Sequence, residues 1–174
     1  MADINLTVPV ATAEAGYRTE PVWDLIELLF FAYRDFVGDA DAVLAKFGFG
    51  RAHHRVLHFV NRNPGMKVAE LLGILKITKQ SLGRVLKQLI DEGYVEQKEG
   101  ATDRRQRLLF VTARGEALAL RLAGLQSARI GRALAGSGDR DTARRFLVAM
   151  LDPGQRDGVL RLVDRADPAR RRRL

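Results

Sequence analysis

"TKQSLGRVLKQL", Thr78 to Leu89, decides how this chain folds. Leu82, Val85, Leu86 and Leu89, continued by Ile90, recur at steps of three and four residues. That is one apolar stripe along one side of a helix. Lys79, Gln80, Arg84 and Lys87 share the other side, which carries no acid. Such a helix buries one face in its own domain and leaves the other free for a partner rich in negative charge. Thr78 stands just before the stripe and is predicted as its N-cap.

The flanking segments extend the pattern in both directions. "MKVAELLGILKI" (66–77) reads as a helix through Val68, Leu71, Leu72 and Leu75, with Ile77 and Thr78 as the turn. "GFGRAHHRVLHFVNRNPG" (48–65) holds another helix from Arg51 to Arg62, its apolar side Ala52, Val56, Phe59 and Val60. Asn63-Pro64-Gly65 ends it. After the opening stretch, Gly93 stops the helix. "YVEQK" (94–98) and "RLLFVT" (107–112) read as strands joined by the polar tip 99–106. Further upstream, Val22, Leu25, Ile26, Leu29, Ala32, Tyr33 and Phe36 mark a helix apolar around most of its surface, with Pro21 in its first turn. Burial on more than one side suggests a subunit interface. Downstream, a long helix runs from Arg114 to Leu134, "AGSGDRD" breaks it, and helices near 141–151 and from Asp152-Pro153 to Arg165 follow.

The expected fold is mainly α with a small two-stranded β-wing: a winged helix-turn-helix with N- and C-terminal dimerisation helices. Its divisions are a flexible arm (1–18), a dimerisation helix (19–38), the winged helix-turn-helix (48–112), C-terminal dimerisation helices (113–166) and a basic disordered tail (167–174). The geometric reason is that a DNA major groove admits one α-helix, and the hairpin reaches the adjacent minor groove or backbone.

Composition is consistent with that. The 174 residues are 47% hydrophobic and carry a formal charge of +8, which suits a polyanion. There is no cysteine, so disulfides, Cys-ligated zinc and Cys nucleophiles are excluded. No run of 18 apolar residues points to a membrane span. No basic segment followed by an apolar stretch opens the chain, so the expected location is the cytoplasm.

"AELLGILKITKQSLGRVLKQLIDEGYVEQ" (69–97) followed by "DRRQRLLFVTARG" (103–115) resembles the MarR family of bacterial transcription regulators. The resemblance covers residues 20–165 in element order and 66–115 in motif detail. It implies a homodimer that binds double-stranded DNA at a pseudo-palindromic site. Thr78, Lys79, Gln80, Ser81 and Arg84 match the recognition-helix positions. Arg84 suits a bidentate contact to guanine, Gln80 to adenine, and Lys87 a phosphate. Arg105, with Arg104 beside it, matches the residue that enters the minor groove. Asp103 matches the acid that braces the wing by an ion pair. Gly83 departs from the family, where many members have serine. The helix near 141–151 is a second departure, and it suits a larger dimer interface.

MarR-like proteins often hold an anionic small molecule between the dimerisation helices and the DNA-binding lobe. Tyr33, Arg34, Arg51, His54 and His58 are the candidate lining of such an effector pocket. His53, His54 and His58 also invite a metal or heme reading, but no Asp or Glu lies between residues 42 and 69 and no third ligand is evident. No metal and no cofactor are therefore assigned. No nucleophile motif, phosphate-binding glycine loop or HExxH occurs, so no catalytic residue is named and the protein is not read as an enzyme. Two alternatives remain: a winged-helix protein-interaction module, or an architectural DNA binder without sequence-specific regulation.

Overall fold

A computed structural model describes residues 20–100, 103 and 105–166. The expected arm (1–18), Arg104 and the basic tail (167–174) lie outside the described residues. Among the described residues seven helices and three strands follow one another: α1 (Trp23–Ala45), α2 (Arg51–Arg62), β1 (Met66–Lys67), α3 (Val68–Leu75), α4 (Lys79–Asp91), β2 (Val95–Glu99), β3 (Arg107–Val111), α5 (Ala113–Ser137), α6 (Arg140–Ala149) and α7 (Pro153–Arg165). The chain is mainly α with a small antiparallel sheet, as its pattern predicts.

Two elements differ from the sequence reading. Helix α1 does not stop near residue 38 but continues to Ala45. The apolar spacing read from the sequence ends at Phe36, yet Val37, Ala40 and Leu44 make a buried stripe that carries the helix across Gly38 and Asp39. A mid-helix glycine costs only about 1 kcal/mol, which this burial outweighs. The second difference is a third strand. β1 pairs antiparallel with β3 through Met66 opposite Leu109 and Lys67 opposite Leu108, giving the order β1-β3-β2. The wing itself is the β2–β3 hairpin, with Val95 opposite Val111 and Glu99 opposite Arg107.

The core lies where α2, α3, α4, the sheet and the first turns of α5 meet. Leu57, Val60, Leu71, Leu82, Leu89, Tyr94, Leu109 and Leu122 are fully or almost fully buried there. The first half of α1 contributes nothing to it. Trp23 is 64% exposed and Phe30 69%, and Leu28, Phe31 and Tyr33 are exposed with them. Neither α6 nor α7 buries a residue within its helix.

Candidate nucleic-acid interface

Helix α4 is mounted firmly at both ends. At its start, Thr78 Oγ1 accepts the Ser81 N–H at 3.1 Å and donates to Ser81 Oγ at 2.9 Å. This satisfies one of the amides left open by a helix N-terminus. The turn from α3 is made by Lys76 in the left-handed conformation (φ 53°). At the far end Gly93 takes φ 72°, so that Gly93 N donates to Ile90 O and Tyr94 N to Leu89 O, at 3.0 and 2.8 Å. A left-handed glycine is the usual helix stop because it has no Cβ to clash.

Between these ends Leu82, Val85, Leu86 and Leu89 are buried, while Thr78, Lys79, Gln80, Ser81, Gly83, Arg84 and Lys87 are exposed. The Thr78 hydroxyl is engaged by Ser81 as both donor and acceptor, while Ser81 Oγ only accepts in this pair. Lys87 is not a bare cation, because its Nζ pairs with Asp91 one turn on at 2.5 Å. Among the predicted contacts on α4, Lys79, Gln80 and Arg84 present exposed side chains that form no hydrogen bond or ion pair with the other described residues.

The wing tip is closed by Asp103. Its Oδ1 accepts the Arg105 N–H at 2.9 Å and its backbone oxygen accepts the Gln106 N–H at 3.0 Å. Among the described residues the brace is therefore a hydrogen-bonded turn rather than the expected ion pair. A carboxylate beside free backbone amides can meet them directly. Arg105 is exposed at the tip. Arg107 pairs with Glu99 across the hairpin at 3.0 Å, stiffening its stem.

The wing and α5 join tightly. Thr112 caps α5, its Oγ1 accepting the Gly115 N–H at 3.1 Å and donating to Gly93 O at 2.7 Å. Arg114 lies over the Tyr94 ring at 4.3 Å and donates to Glu92 O at 2.9 Å. Gly115 sits against the Tyr94 carbonyl so closely that a Cβ there would lie 1.9 Å from its oxygen.

A cavity of about 320 Å³ opens between α1, α2 and α5. It gathers Tyr33, Arg51, His54 and His58 of the predicted pocket, with Phe36, Val37, Arg55, Phe59 and Gln126. Arg34 is not among the lining residues. It pairs with Asp35 at 2.8 Å and lies over the Phe31 ring. Arg51 donates to Asp41 Oδ2 at 2.8 Å. Burial holds the His54 ring below the ordinary histidine pKa, against the opposing pull of Asp41 and a hydrogen bond with Gln126. The same desolvation, reinforced by His54 and Arg62, lowers His58, which keeps an exposed edge. Two neutral imidazoles, an aromatic wall and two arginines can accept a small aromatic anion. Gln126 was invisible to sequence reasoning because it comes from α5, far along the chain from the α1 and α2 residues it joins. Arg55, one turn after Arg51 on α2, had a signal in that spacing. His53 faces elsewhere, toward α4. Among the described residues no three His, Cys, Asp or Glu side chains form a metal cluster.

A capped helix with a free basic face, followed by a braced hairpin, defines a winged helix-turn-helix DNA-binding protein. The sequence profile of the MarR family matches residues 47–106. The chain is 46% identical over 133 residues to the HTH-type transcriptional regulator PetP of Rhodobacter capsulatus, covering 75% of this chain and 80% of that protein. It is 31% identical over 97 residues to the HTH-type transcriptional repressor Rv2887 of Mycobacterium tuberculosis, over 56% of this chain and 70% of the relative. A crystal structure of Rv2887 with p-aminosalicylic acid superposes with a TM-score of 0.50 at 27% identity, over 73% of this chain and 93% of that one. A mutant MarR from E. coli complexed with operator DNA shares the fold, with a TM-score of 0.57 at 20% identity over 76% and 100% of the two chains. The chain belongs to the MarR family and is a transcriptional regulator of that family. No helix among the described residues is long and apolar enough to cross a membrane.

Proposed function

We propose that the protein acts as a homodimer, setting two copies of α4 into successive major grooves of a pseudo-palindromic operator. The observation that carries this is the mounting of α4: Lys79, Gln80 and Arg84 stand exposed on a helix whose other face and both ends are fixed. Two-fold symmetry then spaces the half-sites about one helical turn apart. In this reading Arg84 contacts guanine and Gln80 adenine, Lys87 lies along the phosphates, and Arg105 with Arg104 enters the flanking minor groove. The exposed aliphatic and aromatic surface of α1, with Phe146 and Leu147 of α6 and Met150 just after it, is the dimer interface. A patch of this kind on a monomer marks an association surface.

The cavity between α1, α2 and α5 is the effector site in the same reading. Rv2887 holding p-aminosalicylic acid supports it. A ligand there controls DNA binding only by favouring one arrangement of the two lobes over the other.

The test is Arg84→Ala measured on a duplex selected from a random pool and on a scrambled control. Loss of about 1–3 kcal/mol on the selected duplex, with relaxed preference at one symmetric base pair, is expected. Equal loss on both duplexes would leave an architectural binder, and failure of the unmodified protein to retain any duplex from the pool would leave a protein-interaction module.

A further inference from the structure

His53 is the histidine that neither the cavity nor the DNA-facing surface uses. It leaves α2 toward α4. Its Nδ1 accepts the Gly50 N–H at 3.1 Å, so the neutral ring carries its proton on Nε2, which stands 2.9 Å from Gln88 Oε1. The Gln88 amide nitrogen in turn donates to Glu92 Oε1 at 3.0 Å. Donor meets acceptor at every step from Gly50 to Glu92. Reversing the Gln88 amide would set N–H against N–H at His53 and oxygen against carboxylate at Glu92. The ring is held flat on Phe49, centroids 4.8 Å apart and planes 11° apart, and Phe49 meets the edge of Tyr94 at 5.1 Å.

The packed apolar stripe of α4 fixes how deep the helix sits and limits its roll, but burial itself is non-directional and tolerates small rotations. A directional bond at the rim of the stripe tightens that limit. Gln88 lies four residues after Arg84, so both occupy one side of the helix, a turn apart. Rolling α4 far enough to break the His53 bond turns Arg84 through the same angle. On a helix about 10–12 Å across, a 10° roll shifts a side chain by about 1 Å. A bidentate contact to a base edge needs its donors held to within about 0.5 Å.

We propose that His53 is a positioning residue for sequence readout: through Gln88 it sets the roll of α4 and thereby the aim of Arg84. The proposal rests on α4 being the reading helix. Two substitutions separate the two bonds His53 makes. His53→Asn keeps an acceptor near the Nδ1 position for Gly50 but cannot reach Gln88. His53→Gln puts an amide donor near the Nε2 position for Gln88 and gives up the Gly50 bond. Gln88→Met keeps the length of the side chain and removes the acceptor.

The full chain is titrated with its selected duplex and with a scrambled duplex of the same composition, alongside thermal melts. His53→Asn and Gln88→Met should each weaken the selected duplex by about 3–10-fold, the range of one hydrogen bond, and leave the scrambled one unchanged. The double variant should be no worse than the worse single, and His53→Gln should stay within about 2-fold of wild type. If Asn retains affinity and Gln loses it, His53 is only a helix cap and the proposal falls. It falls equally if the two losses add, or if both duplexes weaken alike. Should His53→Asn fail to fold, Gln88→Met on the other helix decides alone. Arg84→Ala separates the two readings. If it too leaves the selected-over-scrambled ratio intact, α4 is not the reader. If it collapses the ratio while Gln88→Met does not, only the positioning role is lost.

Discussion

Gly115→Ala is the substitution whose effect follows most directly from the geometry. The added methyl would stand 1.9 Å from the Tyr94 carbonyl oxygen and 2.9 Å from its carbon. Carbon and oxygen rarely approach within about 3 Å, so about 1 Å of backbone must move. The oxygen that has to yield already accepts the Thr112 N–H at 3.1 Å. Tyr94 is buried and follows directly on Gly93, where α4 ends. Overpacking costs about 1–3 kcal/mol and a strained or lost buried hydrogen bond about 1–3 more. Alanine returns about 1 kcal/mol of helix propensity, for a net loss of about 1–5 kcal/mol. In a chain of this size that lowers the melting temperature by about 2–20 °C, read by circular dichroism. Gly73→Ala in α3, where a Cβ meets nothing within 4 Å, is the matched control and should be neutral or stabilising. Loss below about 1 kcal/mol for Gly115→Ala, or an equal loss for Gly73→Ala, would refute the argument.

Other outcomes follow from the same contacts. Because burial lowers the folded pKa of His54 below its unfolded value, the unfolded chain binds more protons as pH falls past about 6.5. Stability should be full above that pH and decline below it, and His54→Gln should flatten the trend in denaturant midpoints at pH 8 and pH 5.5. Phe30→Asp on the exposed face of α1 should shift sedimentation at micromolar concentration toward monomer, since it exchanges about 2 kcal/mol of apolar burial per subunit for a buried charge; an unchanged dimer would remove α1 from the interface. Arg105→Ala should weaken binding most where the operator flanks are A·T-rich, measured by competition between flanking sequences.

Much of this was legible in the sequence because it rests on local periodicity. The stripe Leu82–Val85–Leu86–Leu89 fixed the position of α4 to within a residue, and the Thr78 cap and Gly93 stop follow from residue type alone. What was missed depends on contacts distant in the chain. β1 is two residues long, and its only signal is the register of Met66 on Leu109. The extension of α1 past Gly38 depends on Val37, Ala40 and Leu44 finding the core, which outweighs the local preference of Gly and Asp for turns. In the candidate cavity, four of five named residues converge because they sit on the facing sides of α1 and α2. Arg34 falls off that face, since one residue along a helix is about 100° of rotation. His53 parts from His54 in the same way: turned by about 100° from its neighbour, it reaches Gln88 of α4 instead of the cavity.

Lys87, proposed above to lie along the phosphates, already has a companion. Asp91 is its internal counter-ion, so the potential around that side chain is partly neutralised before any phosphate arrives. Binding to DNA draws much of its sequence-independent strength from cations that set free the condensed counterion atmosphere. A lysine that must first part from a carboxylate contributes less of that release, although an exposed pair worth at most about 1 kcal/mol is readily exchanged. On the proposed reading of α4, its face is thereby less adhesive to arbitrary duplex than its cations suggest, a restraint that would shorten residence on the wrong DNA and leave discrimination to the groups proposed to touch bases.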